Sequence, residues 1–391
     1  MTIRWRTAVT GLGMAGLLVG AAACGGGSGS GSGSGSSGSS GGSTYTLGVL
    51  NSLTGDLGAV GQQEKKGMDL AVKEINASGG VIGHKLALKD FDDQGSVNQS
   101  TTGFKQLATS DKVPVILGPG ISASAKAIAP LADQYGVTNI LLIAQPEVAN
   151  GTKNVFEVPP PGKINSEAMV DYAAGKGVKS AALIYASNPY GQQGNTAITA
   201  AAKDKNIDLV STDSWDPSKF DFTAQASKVT KLHPDVVFLY GAGGTSDALL
   251  LKAVRAAGYQ GKVVGDLAYS TTVIPQTAGA AADTVVSLTA VNFGDPSAAE
   301  KKFIDDYKAT YNENATVLAG YAYAGVKLAA AGIEKAGKMD GKAIASAIQG
   351  LDNKSLVGTL AYTKDWHGGP QDISAFKPVS FKGSAYAPPV F

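Results

Sequence analysis

The sequence predicts an α/β protein built as two doubly wound, parallel-sheet lobes joined by a hinge that the chain crosses several times. Three observations predict it. After residue 44, apolar strand-like runs alternate with amphipathic segments, the order that buries a parallel sheet between helices on both faces. The alternation restarts near residue 164, so there are two such series. The stretch from residue 44 to residue 391 is also longer than one hydrophobic core ordinarily supports.

Residues 45–50 read as a buried strand. Residues 61–77 read as a helix with Met68, Ala71, Val72 and Ile75 on one stripe, and Gly79-Gly80 ends it by permitting a left-handed cap. Strand 86–91 follows, then helix 97–110 with Phe104, Leu107 and Ala108 inward, strand 113–117, helix 122–134 and strand 139–143. Pro159-Pro160-Pro161-Gly162 cannot lie inside a helix or a central strand, so it reads as a crossing between lobes. The second series runs through helix 164–175, strand 180–185, helix 191–205, strand 208–211, helix 222–232, strand 235–240, helix 245–257 and strand 262–265. The last third departs from alternation, with strand 284–291, helices 298–311, 319–336 and 341–350, and short strands 358–362 and 375–381. Segments that complete both sheets this late require further crossings, and several crossings make a hinge. The expected division is 44–163 with 292–360 for lobe one, and 164–291 with 361–391 for lobe two.

Ahead of the fold, Arg4 and Arg6 form a positive start, residues 8–20 a short apolar stretch, and Ala21-Ala22-Ala23 a run of small residues. That is the layout of a secretory signal over 1–23, too short and glycine-broken to span a bilayer well. Arg4-Trp5-Arg6 is not a twin-arginine pair, which favours the general export route. Cys24, the single cysteine, stands directly after the small residues and resembles the lipobox cysteine of bacterial lipoproteins, with Ala21 where Leu or Val is usual. A lone cysteine in an exported protein calls for a reason, and lipidation supplies one. The Gly/Ser tract to residue 43 then reads as a flexible tether. The expected location is the extracytoplasmic face of the cell membrane, held by lipid.

The chain carries 33 Lys+Arg against 32 Asp+Glu and has no long basic run, which argues against a nucleic-acid partner. Three scattered histidines, His84, His233 and His367, and one cysteine leave little for a metal site, and no cofactor is expected. One stretch imitates a dinucleotide fingerprint: Tyr240-Gly241-Ala-Gly243-Gly244-Thr-Ser246 follows a strand and opens a helix, with Asp266 about twenty residues on. It has Ser246 where the third glycine belongs and lies in the second lobe, so an enzyme is not the expected reading. No nucleophile elbow or phosphate-binding loop is present.

The wall of a ligand cleft is expected at residues 118–124. A strand ends at Leu117, glycines let a ligand approach the backbone, and a helix begins near Ser122. Open N–H groups at that helix start make an anion seat, to which Ser122 and Ser124, on either side of Ala123, add hydroxyls; Ser122 could equally cap its helix.

Several stretches together resemble the type I substrate-binding proteins of ABC importers, in the Leu/Ile/Val-binding branch. They are Leu50-Asn-Ser-Leu-Thr-Gly-Asp-Leu57, Glu74-Ile-Asn-Ala-Ser-Gly-Gly-Val-Ile-Gly83, Phe91-Asp-Asp-Gln94, Ile116-Leu-Gly-Pro-Gly-Ile-Ser-Ala-Ser124, Ile184-Tyr-Ala-Ser-Asn-Pro-Tyr-Gly191 and Asp235-Val-Val-Phe-Leu-Tyr-Gly241. The resemblance runs in order from residue 44 onward. It implies two lobes with three crossovers, closing on a small ligand, and delivery of a branched-chain amino acid or related carboxylate or amide by a monomer to an ABC permease. It implies that Ser122 takes the ligand carboxylate, that Ala144 or Gln145 stands where a small hydroxyl residue usually does, and that Tyr190 walls the second lobe. An acid for the ligand ammonium would fall near Asp266, although strict spacing puts Leu267 there, and Val60 aligns with a lobe-one aromatic. A ligand-sensing subunit of the same fold is the alternative role.

Overall fold

The computed structural model describes residues 43–241 and 244–391. The signal segment, Cys24 and the tether up to residue 42 lie outside the described residues, as do residues 242–243 of the glycine-rich turn.

The first sheet contains β1 (Tyr45–Asn51), β2 (Leu86–Asp92), β3 (Val115–Leu117), β4 (Thr138–Leu141) and β5 (Val155–Glu157). All are parallel, in the order β2-β1-β3-β4-β5. Between them run α1 (Gly58–Ala77), α2 (Val97–Lys105, continued by a wider turn to Ser110), α3 (Ser122–Tyr135) and the single turn α4 (Pro146–Ala149). The second series gives α5 (Gly162–Gly175), β6 (Ser180–Ala186), α6 (Pro189–Asp204), β7 (Asp208–Trp215), α7 (Thr223–Leu232), β8 (Val236–Tyr240), α8 (Thr245–Ala256), β9 (Lys262–Gly265), α9 (Val273–Ala278) and β10 (Val285–Thr289). The chain ends with α10 (Ala298–Tyr311), α11 (Val317–Ala336), α12 (Gly341–Ile348), the hairpin β11 (Asp352–Ser355) and β12 (Gly358–Ala361), then β13 (Lys377–Lys382) and β14 (Ala385–Ala387).

The second sheet runs β14-β13-β10-β9-β8-β6-β7, with β13 and β14 antiparallel on its edge. Read from β7, its parallel part repeats the strand order of the first sheet. The chain is thus an α/β protein of two lobes, each doubly wound. It passes between the sheets three times, at 158–161, 290–297 and 362–376, and the first of these holds the three prolines.

Burial follows the sequence pattern. Met68 and Ala71 are fully buried and Ile75 nearly so, and α11 packs along α1 on the first lobe. Gly67 lets the two backbones meet, since a Cβ there would lie 2.1 Å from the Ala319 carbonyl oxygen. Phe303 and Tyr307 of α10 close the outer side against Leu70.

Several short elements are absent from the sequence reading. Strand β5 has only three residues, too short for periodicity to register. Strand β7 extends to Trp215 through Ser, Thr and Asp, because an edge strand exposes alternate residues to water. The strand expected at 113–117 begins only at Val115, after Pro114.

Candidate functional site

The two sheets point the ends of their parallel strands at one cleft. In such sheets the ligand crevice lies beyond the carboxyl ends, where the strand order reverses. Here the reversals fall between β1 and β3 in one lobe and between β6 and β8 in the other. A cavity of about 220 Å³ occupies this place. Lobe one contributes Asn51 and Ser52 at the end of β1, Gly120 to Ala123 after β3, and Leu142 to Ala144 after β4. Lobe two contributes Asn188 to Tyr190 after β6, and Leu267, Ala268 and Thr271 after β9. Leu57, Val60, Leu318 and Tyr321 fill out an apolar side. Gln63 Nε2 donates to Thr272 Oγ1 across the cleft at 2.9 Å, and Gln193 Nε2 to Glu147 Oε2 at 3.4 Å.

The start of α3 has the geometry of an anion seat. Ile121 occupies the cap position with extended backbone and no capping side chain, and Ser122 is the first helical residue. Ser122 is therefore not a helix cap, and its hydroxyl makes no hydrogen bond to any described residue. The first bond closing the helix runs from Ala125 N–H to Ile121 O, which leaves the N–H groups of residues 122–124 ahead of it. Gly118 makes the preceding turn possible. Its φ of +96° is left-handed, and a Cβ there would sit 2.0 Å from the Leu50 carbonyl oxygen.

Of the residues expected at the site, Ser122, Ala123, Ala144 and Tyr190 line the cavity. Three others do not. Ser124 is buried, and its hydroxyl meets that of Ser100 at 2.7 Å. Gln145 turns inward, its N–H donating to the Glu157 carboxylate, so Ala144, which has no donor, faces the cavity. Asp266 is fully buried behind Tyr190. It accepts from the Tyr190 hydroxyl at 2.8 Å and from Gly241 N–H at 3.2 Å. Burial pushes its carboxyl up to about 6, with those two donors pulling the other way. Leu267 and Ala268 present apolar surface in its place.

The acid in the cavity wall is one the sequence reading passed over, Glu64 of α1. It is 2% exposed and accepts from Asn51 Nδ2 at 2.6 Å. Burial, reinforced by Asp93, pushes its carboxyl up to about 8 against the pull of Asn51. A signal was present: Glu64 stands four residues before Met68 and seven before Ala71, on the inward stripe of α1, where a charged residue is out of place.

At the dinucleotide-like turn, the Asp247 carboxylate accepts from Gly244 N–H at 3.1 Å and fills the space beside Gly241. A carboxylate thus occupies the helix start where a pyrophosphate would need to rest. Among the described residues no cluster of three His, Cys, Asp or Glu could hold a metal ion. No helix among them is long and apolar enough to cross a membrane.

Residues 44–383 match a protein family described as periplasmic binding protein. The chain is 31% identical to Leu/Ile/Val-binding protein homolog 3 of Brucella melitensis, over 82% of this chain and 87% of that protein. Its fold is similar to that of the branched-chain amino acid transporter substrate binding protein LivJ from Streptococcus pneumoniae, solved in complex with isoleucine (TM-score 0.79, 22% identity, 88% of this chain and 97% of that one). It is similar also to a solute binding protein of an ABC transporter from R. palustris in complex with benzoate (TM-score 0.77, 19% identity, 88% of this chain and 94% of that one).

Proposed function

The chain belongs to the periplasmic binding protein family, and from that premise we propose that it captures a branched-chain amino acid, or a related small carboxylate or amide, by lobe closure. It then delivers the ligand to the permease of an ABC importer, acting as a monomer. One observation carries the reading: a single cavity takes walls from both lobes and presents an open helix start beside apolar surface. Its volume, about 220 Å³, lies below the ~300–1,000 Å³ of drug-sized pockets and suits a molecule the size of one amino acid. A ligand touching both walls binds the closed form better than the open one, which shifts the population toward closure.

Closure moves 44–163 with 292–360 against 164–291 with 361–391, bending at the three crossings. We propose further that this device is held at the membrane, with residues 1–23 directing export and Cys24 carrying lipid. A thermal-shift screen of L-leucine, L-isoleucine, L-valine, their des-amino acids and amides tests the ligand class. A branched-chain amino acid at a hundred times its Kd is expected to add about 2.7 kcal/mol of stability. A screen in which no amino acid, carboxylate or amide raises the melting temperature contradicts the reading.

A further inference from the structure

We infer that Glu64, not Asp266, receives the ligand's nitrogen, so that lobe one holds both polar ends of the ligand. The inference rests on the reading of the cavity as an amino-acid site. Four observations carry it. Asp266 is spent on Tyr190 and Gly241 N–H and does not reach the cavity wall. Glu64 does reach it, from α1. Its carboxylate lies against the loop that leads to the carboxylate seat, since a Cβ on Gly120, two residues before Ser122, would be 3.2 Å from Glu64 Oε2. No described cation neutralises it: Lys65, the next residue, turns to Asp69 at 2.6 Å and Asp90 at 3.5 Å.

The surroundings of Glu64 fix the direction of proton flow. Asn51 of β1 donates to one oxygen, and Asp93 beyond β2 adds negative charge while engaged with Ser52 and Ser100. From α11 Tyr321 lines the same cavity, its buried hydroxyl without a partner among the described residues. With burial holding Glu64 near 8, the carboxyl is mostly protonated at neutral pH before ligand arrives. An incoming ammonium supplies the missing positive charge. Glu64 then releases its proton to solvent, and the ion pair of carboxylate and ammonium remains. A ligand with no ammonium exchanges no proton there.

The test is calorimetric titration of the protein at pH 7, in two buffers of different ionisation enthalpy, with L-leucine and with its des-amino analogue 4-methylpentanoate. Wild-type protein is expected to release close to one proton per leucine and none per 4-methylpentanoate. In Glu64→Gln the release disappears, and the preference for leucine over 4-methylpentanoate falls at least tenfold. Leucine binding to wild type with no proton release overturns the inference, even if the variant fails to fold. So does a folded Glu64→Gln that keeps the full preference for leucine. Wild-type protein that binds neither compound overturns the amino-acid reading beneath, and the inference with it.

Discussion

The two walls of the cleft have the same topology and opposite characters. The lobe-one wall keeps polar groups free for a guest: the first N–H groups of α3, the Ser122 hydroxyl, and the Glu64 carboxyl with a single side-chain donor. The lobe-two wall uses its polar groups largely on itself, the Thr271 hydroxyl being the one left without a partner among those described. Tyr190 gives its hydroxyl to Asp266, Asn188 caps α6 by accepting from Gly191 N–H at 2.8 Å, and Leu267 and Ala268 face the cavity. A repeated fold supplies two crevices, and the side chains decide which one reads the ligand and which one covers it. On the proposal made above, lobe one is the reader and lobe two is the cover.

The largest effect that would break this comparison is on stability. Glu64 has its carboxyl raised in the folded protein, so its contribution is fully present below its unfolded value and is lost as pH rises through about 8. Glu64→Gln removes that loss. The ligand-free variant is expected to be more stable than wild type at pH 8–9, by as much as about 3–5 kcal/mol, with little difference near pH 4. Denaturant titrations across that range check it, and parallel pH profiles for the two proteins would show that Glu64 is not held neutral by its site.

Next is Ser122→Ala, which deletes a free donor from the reading wall. It should weaken a carboxylate ligand by about 1–3 kcal/mol, the scale of a hydrogen bond to a charged group. Calorimetric affinity unchanged from wild type removes Ser122 from the site. Tyr190→Phe makes the matching change in the covering wall. Its hydroxyl is already spent and its ring remains, so ligand affinity should change by no more than about 1 kcal/mol. A larger loss than that of Ser122→Ala would reverse the roles of the walls. The smallest effect on binding belongs to Cys24→Ser, expected to release the protein from membrane fractions with ligand affinity unchanged. Persistence of the variant in the membrane pellet contradicts the lipid anchor.

The parts of this arrangement that were legible in the sequence are those that follow from periodicity and turn chemistry. The alternation of strands and helices marked both sheets, and the glycines and serines of 118–124 marked the open helix start. What could not be read is where a side chain spends its hydrogen bond. Asp266 sits where an ammonium partner was expected, yet a tyrosine from another strand end claims it. Ser124 is two residues from Ser122 on the same helix, which turns it toward Ser100 and away from the cavity. Glu64 was hidden for the opposite reason: a lone acid within a helix passes for a surface residue until its register with Met68 and Ala71 is counted.

A crystal structure of the protein with a bound branched-chain amino acid tests the division between reader and cover most directly. The account predicts the ligand carboxylate within about 2.7–3.0 Å of the Ser122 hydroxyl and the first N–H groups of α3, and its nitrogen on Glu64, with Tyr190 and Leu267 covering the side chain. A carboxylate held by lobe two, or a nitrogen paired with Asp266 after Tyr190 has swung away, would contradict it.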